Sequence, residues 1–452
     1  MVRQLSGVAA TLYEAVKDAP IVSPHGHCDP AWFAHNAAFS DPAELLVIPD
    51  HYVFRMLYSQ GISLRDLGIG VPTAERDARR IFQIFADHWH LFLGTPSHGW
   101  MTYVLENTIG CDIPLGPDTA PAIYDHIDDW LKDPAHCPRA LFDRFNIDVL
   151  ATTDGALDPL NDHETIRQSG WQGRVVPTFR PDAVLDPNSP DWGDAVAQMG
   201  RITGQDVQGF AGYLEALRIR RAAFKAMGAT ATDHAIEVPN TCWLDAPAAV
   251  YDQLVAGDMT HADAFHGHML IEMAQMSIED GLVMQLHAGS RRNTNHAVLD
   301  GFGRDKGADI PIAVDWVRGL EPLLNRVGNN PALTLILFTL DETTYARELA
   351  PMAGHWPCLR IGPPWWFHDS AAGIARYFDQ VVETAGYWNL AGFNDDTRAF
   401  LSIPARHDLW RRAVGLHLAE QVGRGYFSVT TAEELAHLLA TDLARTTYRL
   451  GA

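Results

Sequence analysis

The chain has 452 residues, a formal net charge of −22 and 47% hydrophobic residues, the composition of a large globular protein able to bury a substantial core. The acidic balance excludes nucleic acid and anionic membrane surfaces as partners, because both demand clustered Lys and Arg that release counterions on binding. Cys28, Cys111, Cys137, Cys242 and Cys358 are odd in number and include no CxxC pair, which excludes a disulfide framework and fits a reducing cytoplasm.

The opening stretch MVRQLSGVAATLYEAVKDAP interrupts its apolar residues every few positions, unlike a signal peptide. No window approaches the roughly 20 apolar residues that span a bilayer. A cytoplasmic protein is expected, and an acidic enzyme of this size is expected to be a homo-oligomer. The first apolar run, PIVSPHGH (20 to 27), ends in His25 and His27. On a strand, residues i and i+2 share a face, so the two imidazoles would point into one space. HxH recurs at His88/His90 and His266/His268, but there the pattern is helical, and i and i+2 diverge by about 200°.

The interval 29 to 145 reads as helical, with DHYVFRMLYSQG (50 to 61), AERDARRIFQIFADHWHLF (74 to 92) and HGWMTYVLENTIG (98 to 110). It is expected to be an inserted helical subdomain over the mouth of the fold. Further strand-like runs follow: IDVLATT (147 to 153), RVVPTF (174 to 179), GATATDHAIEV (228 to 238), LVMQLH (282 to 287), LTLILFT (333 to 339), CLRIG (358 to 362) and NLAGFND (389 to 395). Helical periodicity falls between them at 205 to 228, 266 to 281 and 373 to 386. PDAVLDPNSPDWGD (181 to 194) reads as a loop, and 428 to 448 as a closing helix with a Thr430-x-x-Glu433 capping box.

Near-continuous hydrophobicity marks strands covered on both faces of a parallel sheet. Eight such runs alternating with helices predict a (β/α)₈ TIM barrel, an α/β fold, as a single domain over 1 to 452 with the helical insertion after its first strand. An open doubly wound sheet is the alternative; no GxGxxG follows any run to favour it. Barrel enzymes assemble their sites at the carboxyl ends of strands. There the sequence places His25 and His27, His287 at the end of LVMQLH, and Asp396 after NLAGFND, with Asp395 an alternative to Asp396. Imidazoles plus one carboxylate make the ligand set of a catalytic divalent metal with an open position. Nitrogen and oxygen donors accept zinc, manganese, iron or cobalt; zinc is the default expectation.

The segments PHGH, DHYVFRMLYSQGI, QLHAGSRRNTN, PPWWFHD and NDDTRAFLSIPARHDLWRR, in that order from about residue 20 to residue 412, resemble the uronate isomerase (glucuronate isomerase) family of the amidohydrolase superfamily. The resemblance implies that His25, His27 and Asp396 hold the metal with His287 at or near it, and that Arg292, Tyr52 and Arg398 face a small-molecule uronate. It further implies interconversion of D-glucuronate with D-fructuronate and of D-galacturonate with D-tagaturonate. Where the family usually shows TTDDP, this chain has TTDGALD (152 to 158), keeping Asp154 but placing Gly155 next, a departure that bears on sugar preference.

Such an isomerisation needs a group to move a proton between C2 and C1 and positive charge beside the enediolate; Asp396 is expected to handle a hydroxyl proton. A phenol is a poor base at neutral pH, but a neighbouring guanidinium favours phenolate, so a Tyr52 and Arg398 pair is expected as a shuttle. The substrate carboxylate calls for an Arg fork, Arg292 first and Arg180 second. His51 and Trp366 are placed beside the sugar, although Trp365, Trp366 and Phe367 also suit buried packing. Two rival readings use the same residues: a one-metal hydrolase of a lactone, amide or ester, and a non-catalytic sugar-acid binder. GATATDHAIEV and RVVPTF contain no Lys, which disfavours a bridged pair of metals.

Overall fold

The computed structural model describes residues 5–451. Its strands are β1 (Ile21–Ser23), β2 (Ile147–Ala151), β3 (Asp154–Gly155), β4 (Arg174–Val176), β5 (Phe179–Arg180), β6 (Ala231–Ala235), β7 (Val283–Ala288), β8 (Ser290–Arg291), β9 (Ile310–Pro311), β10 (Leu335–Thr339) and β11 (Leu359–Ile361). One parallel sheet has the order β1-β2-β4, a second the order β11-β10-β7-β6-β5-β3, and β8 pairs antiparallel with β9. The two parallel sheets are continuous along the chain. Thr152 N donates to Val176 O at 2.9 Å, and Thr178 N donates to Thr152 O at 3.0 Å. The architecture is mixed α/β with parallel strands lying side by side in chain order.

Seven of the eight apolar runs are strands, and their burial explains their composition: β7 and β10 are buried at every residue. The eighth run, NLAGFND, makes only an isolated parallel bridge between Leu390 and Ile361. Gly392 interrupts it with φ +82°, and the backbone of Ala444 approaches so closely that a Cβ on Gly392 would lie 2.4 Å from Ala444 N. Gly392→Ala should therefore cost at least about 2 kcal/mol through backbone strain and overpacking, read as a lower urea midpoint at unchanged slope.

Between β1 and β2 the chain is helical, including His51–Tyr58, Ala78–Asp87, Pro96–Tyr103 and Ala120–Leu131. Asp50, Asp77 and Thr95 cap three of these by accepting from the backbone N–H of Tyr52, Arg80 and His98. Their apolar faces, such as Ile81, Phe82 and Phe85 at helical spacing, share one buried cluster with Ile21 of β1 and Leu150 of β2. Two local expectations are corrected. The stretch 181 to 194 contains the helix Asp182–Leu185 and the start of Trp192–Thr203. The closing helical stretch begins at Val429, with Ser428 rather than Thr430 as its cap, because the extended Ser428 turns its hydroxyl to Thr431 N at 3.2 Å. Among the described residues, no helix is long and apolar enough to cross a membrane.

Six strand-run positions, Val22, Val149, Ala231, Val283, Ile336 and Ala391, form one apolar cluster with Tyr448, which follows the helix Leu443–Thr447. The candidate site lies farther along the same strands, toward their carboxyl ends.

Candidate active site

His25 and His27 lie just past β1 rather than on it, so the strand argument for a shared face does not hold; what brings them together is Asp396. Its Oδ1 is 3.4 Å from His25 Nε2 and 3.0 Å from His27 Nε2. Asp396 adopts φ +42°, a left-handed conformation that an aspartate tolerates better than most residues. The neighbouring Asp395 turns away and pairs with His407 Nε2 at 3.2 Å, which separates the two aspartates that the sequence left as alternatives. His287, the penultimate residue of β7, stacks on His25 with ring centroids 4.8 Å apart. Ligand atoms of His25, His287 and Asp396 all lie within 4.8 Å of one another.

Asp233 of β6 completes the arrangement. His287 Nδ1 is 2.6 Å from Asp233 Oδ1, leaving Nε2 without a hydrogen-bond partner although it is buried. A carboxylate behind a histidine fixes the tautomer in which the other nitrogen offers its lone pair, the usual support of a metal-binding imidazole. Burial lowers the His287 and His27 pKa values and places His51 well below its ordinary value, so these rings are neutral at pH 7. Burial opposes the charged forms of Asp396 and Asp233 too. Hydrogen bonds from His25 and His27 outweigh it at Asp396, and His287, its hydrogen-bond partner, together with the Arg180 guanidinium outweighs it at Asp233, so both carboxyls sit well below their ordinary range. Two nitrogens and a carboxylate oxygen around a buried, unpartnered Nε2 fit a divalent cation.

These groups open into a cavity lined also by His51, Arg180, Arg292, Asp305, Asp309, Trp366 and Arg398. Arg180 Nε donates to Asp182 Oδ2 at 2.9 Å and lies 3.7 Å from Asp233. Arg292 is 3.5 Å from Asp309. Arg398 has no ion pair or side-chain hydrogen bond among the described residues, so its guanidinium faces the cavity uncommitted.

The sequence can now be set beside known proteins. The family model described as glucuronate isomerase matches residues 4–446. The chain belongs to the glucuronate (uronate) isomerase family. It is 54% identical over 447 residues to the uronate isomerase of Rhizorhabdus wittichii, covering 98% of this chain and 95% of that protein. Among solved structures, it resembles the glucuronate isomerase of Caulobacter crescentus with a TM-score of 0.96 at 50% identity, covering 98% and 94% of the two chains. The uronate isomerase of Thermotoga maritima gives a TM-score of 0.92 at 27% identity, covering 98% and 97%. The resemblance read from the motifs is borne out, and the protein is an isomerase.

Of the residues anticipated in this isomerase, His25, His27, His51, Arg180, His287, Arg292, Trp366, Asp396 and Arg398 share the cavity; Tyr52 does not line it. The Tyr52 hydroxyl donates to Trp366 O at 3.0 Å and to Asp369 Oδ2 at 3.1 Å, and its ring lies under the guanidinium of Arg406 rather than that of Arg398. Burial pushes its pKa well above 10, with Asp369 adding to the shift and Arg406 opposing it, so the phenol stays protonated. Asp154 accepts from Thr152 Oγ1 at 2.6 Å and faces His163, and neither it nor Gly155 reaches the cavity wall.

Three buried polar positions in and around the candidate site escaped the sequence reading. Asp233 stands in the middle of β6, inside the recognised run GATATDHAIEV, and an ionisable residue within a run read as buried strand was the available signal. Asp369 and Arg406, joined at 2.6 Å, lie in segments that carried the resemblance but gave no local sign of pairing. Burial raises Asp369 to about 7 against the pull of Arg406.

Proposed function

We propose that this isomerase interconverts D-glucuronate with D-fructuronate, and D-galacturonate with D-tagaturonate, by metal-assisted proton transfer through a cis-enediol, at the carboxyl end of a closed (β/α)₈ barrel. The observation that carries the chemistry is the convergence of His25, His287 and Asp396 within one arginine-lined cavity. The barrel reading is supported by the chain-order parallel strands and by the hydrogen bond from His27 N to Thr397 O at 2.9 Å, which links the first run to the last. Residues 29–145 are then an inserted helical subdomain at its mouth.

His25, His27, His287 and Asp396 would hold one divalent metal, zinc being the first to test. When bound, it supplies Lewis-acid stabilisation of the oxygen that gains charge. Asp396, ionised and beside the imidazoles, moves the hydroxyl proton as the carbonyl shifts from C1 to C2. Arg398 places fixed positive charge next to the enediolate, and Arg292 with Arg180 receives the substrate carboxylate as a fork of donors. His51, whose buried Nε2 lacks a partner and whose ring packs 3.9 Å from Trp366, meets a sugar hydroxyl. Tyr52, held as a neutral phenol, steadies the turn that carries Trp366 rather than acting as base with Arg398. The left-handed φ of +55° at Trp366 is the strain that this anchor offsets.

Proton NMR of the purified protein in D₂O with each aldose tests the reading. Formation of the ketose, with any solvent deuterium appearing at C1, is the expected result. Cleavage of a lactone or ester with neither ketose formed would replace it with hydrolysis. Asp233→Asn should weaken Zn²⁺ binding by about 10- to 100-fold in chelator competition, since it removes the charge that orients His287. Unchanged affinity would assign that orientation to the stacking of His287 on Phe338, at 4.1 Å.

A further inference from the structure

Asp396 holds its left-handed φ of +42° in the loop that follows the Leu390 bridge, and such a conformation persists only where the surroundings over-determine it. Here the residues on either side do so. Asp395 and Thr397, both buried, point into the protein, whereas Asp396 and Arg398 line the cavity. The Asp395 carboxylate accepts from Thr397 N at 3.4 Å through Oδ1 and from His407 Nε2 at 3.2 Å through Oδ2, so it bridges the residue that carries the strain. Its carbonyl accepts from Arg406 Nη1 at 3.3 Å. The Thr397 carbonyl accepts from His27 N at 2.9 Å, and the Thr397 hydroxyl accepts from Ala399 N at 3.0 Å.

Arg406 and His407 are consecutive in the helix Ile403–Gly423, so one element grips both the main chain and the side chain of Asp395. Burial lowers the His407 pKa against the pull of Asp395, and its Nδ1 has no partner, so the proton of the neutral ring sits on Nε2 and is donated to the carboxylate. A buried pair kept for stability alone has no need of this arrangement, because apolar side chains of like volume serve at least as well. What the pair adds is a closed turn around the candidate ligand. We infer that Asp395 and His407 are positioning residues for Asp396: His407 fixes the Asp395 carboxylate, and that carboxylate holds Thr397 N–H and so locks the turn that delivers Asp396 to His25 and His27 and Arg398 to the cavity. The inference rests on the role proposed above for Asp396. An extended backbone at that position would swing its carboxylate away from the imidazoles, and misplacing a reacting group by about 1 Å can cost about 10²-fold in rate.

The test is kcat and KM with D-glucuronate in excess Zn²⁺, together with Zn²⁺ affinity by chelator competition and thermal unfolding, for full-length wild type, Asp395→Ala, Asp395→Asn, His407→Leu and His407→Gln. Asp395→Ala should lower kcat about 10- to 100-fold and weaken Zn²⁺ binding at least about threefold while KM moves less than about threefold, and His407→Leu should lower kcat about tenfold. Asp395→Asn should stay within about threefold of wild type, because its amide oxygen still accepts from Thr397 N and His407 can exchange tautomer to accept from the amide nitrogen. His407→Gln should recover likewise, its Nε2 donating where the ring nitrogen did. Wild-type kcat and Zn²⁺ affinity in both Asp395→Ala and His407→Leu, whatever their unfolding temperatures, would overturn the inference and leave the pair a matter of stability. So would an equal loss in Asp395→Asn and Asp395→Ala, since charge rather than the turn would then be at work. If Asp395→Ala does not fold, the two His407 variants carry the test. Near-normal turnover in Asp396→Asn would instead bring down the role of Asp396, and this inference with it, a result distinct from normal Asp395 and His407 variants beside a crippled Asp396→Asn.

Discussion

Asp396→Asn lowers kcat by at least about 10³ while leaving the far-UV circular dichroism unchanged, a loss scaled from positioned proton transfer plus charge stabilisation. Asparagine keeps the size of the side chain and one acceptor oxygen. It removes the negative charge that sits 3.0 Å from His27 and 3.4 Å from His25 and that both imidazoles hold ionised. The variant should also bind Zn²⁺ more weakly, so activity is to be measured with excess metal as well as without. Turnover near that of the wild type under both conditions would take Asp396 out of the reaction.

Arg398→Met should cost at least about 10³ in kcat with little change in melting temperature. The two halves of that expectation have separate grounds. Arg398 lines the cavity but makes no ion pair or side-chain hydrogen bond among the described residues, so removing it strands no buried partner. Arg292 and Arg180, by contrast, are each beside an aspartate already, at 3.5 Å and 2.9 Å. An uncommitted guanidinium is free to answer charge that develops only as the carbonyl shifts, and such a contribution appears in kcat. A rise in KM at constant kcat would reassign Arg398 to holding the substrate carboxylate.

Much of the strand inventory was legible because parallel strands buried on both faces must be apolar throughout, as β7 and β10 are. NLAGFND was read as an eighth strand on the same logic and is not one, since close backbone approach at Gly392 leaves no trace in hydropathy. The candidate ligand histidines were found for a partly mistaken reason: strand periodicity pointed to His25 and His27, yet they converge from a loop through Asp396. Of the other HxH pairs, His266 and His268 lie inside the helix Ala262–Asp280 as their periodicity requires, whereas His88 and His90 fall past the end of the helix Ala78–Asp87 with rings 30° from parallel and 6.2 Å apart. Tyr52 shows where motif reasoning stops. DHY pointed to Tyr52 as a partner of Arg398, but its contacts are set by the turn at 365 to 369 and by Arg406, and no spacing in the sequence encodes them. The hydrogen bond from the Tyr448 hydroxyl to Gln285 Oε1 was invisible for the same reason, since it joins residues 163 apart.

That separation bears on how the protein comes into being on the ribosome. His25 leaves the ribosome before the strands β2 to β11 have been made, whereas Asp396 and Tyr448 follow the last of them. Helices between β1 and β2 can condense on one another early, since their contacts are local. The catalytic centre has no such option. Until translation has delivered Asp396, the early imidazoles lack the carboxylate that brings them together, so the candidate site is assembled only late in synthesis.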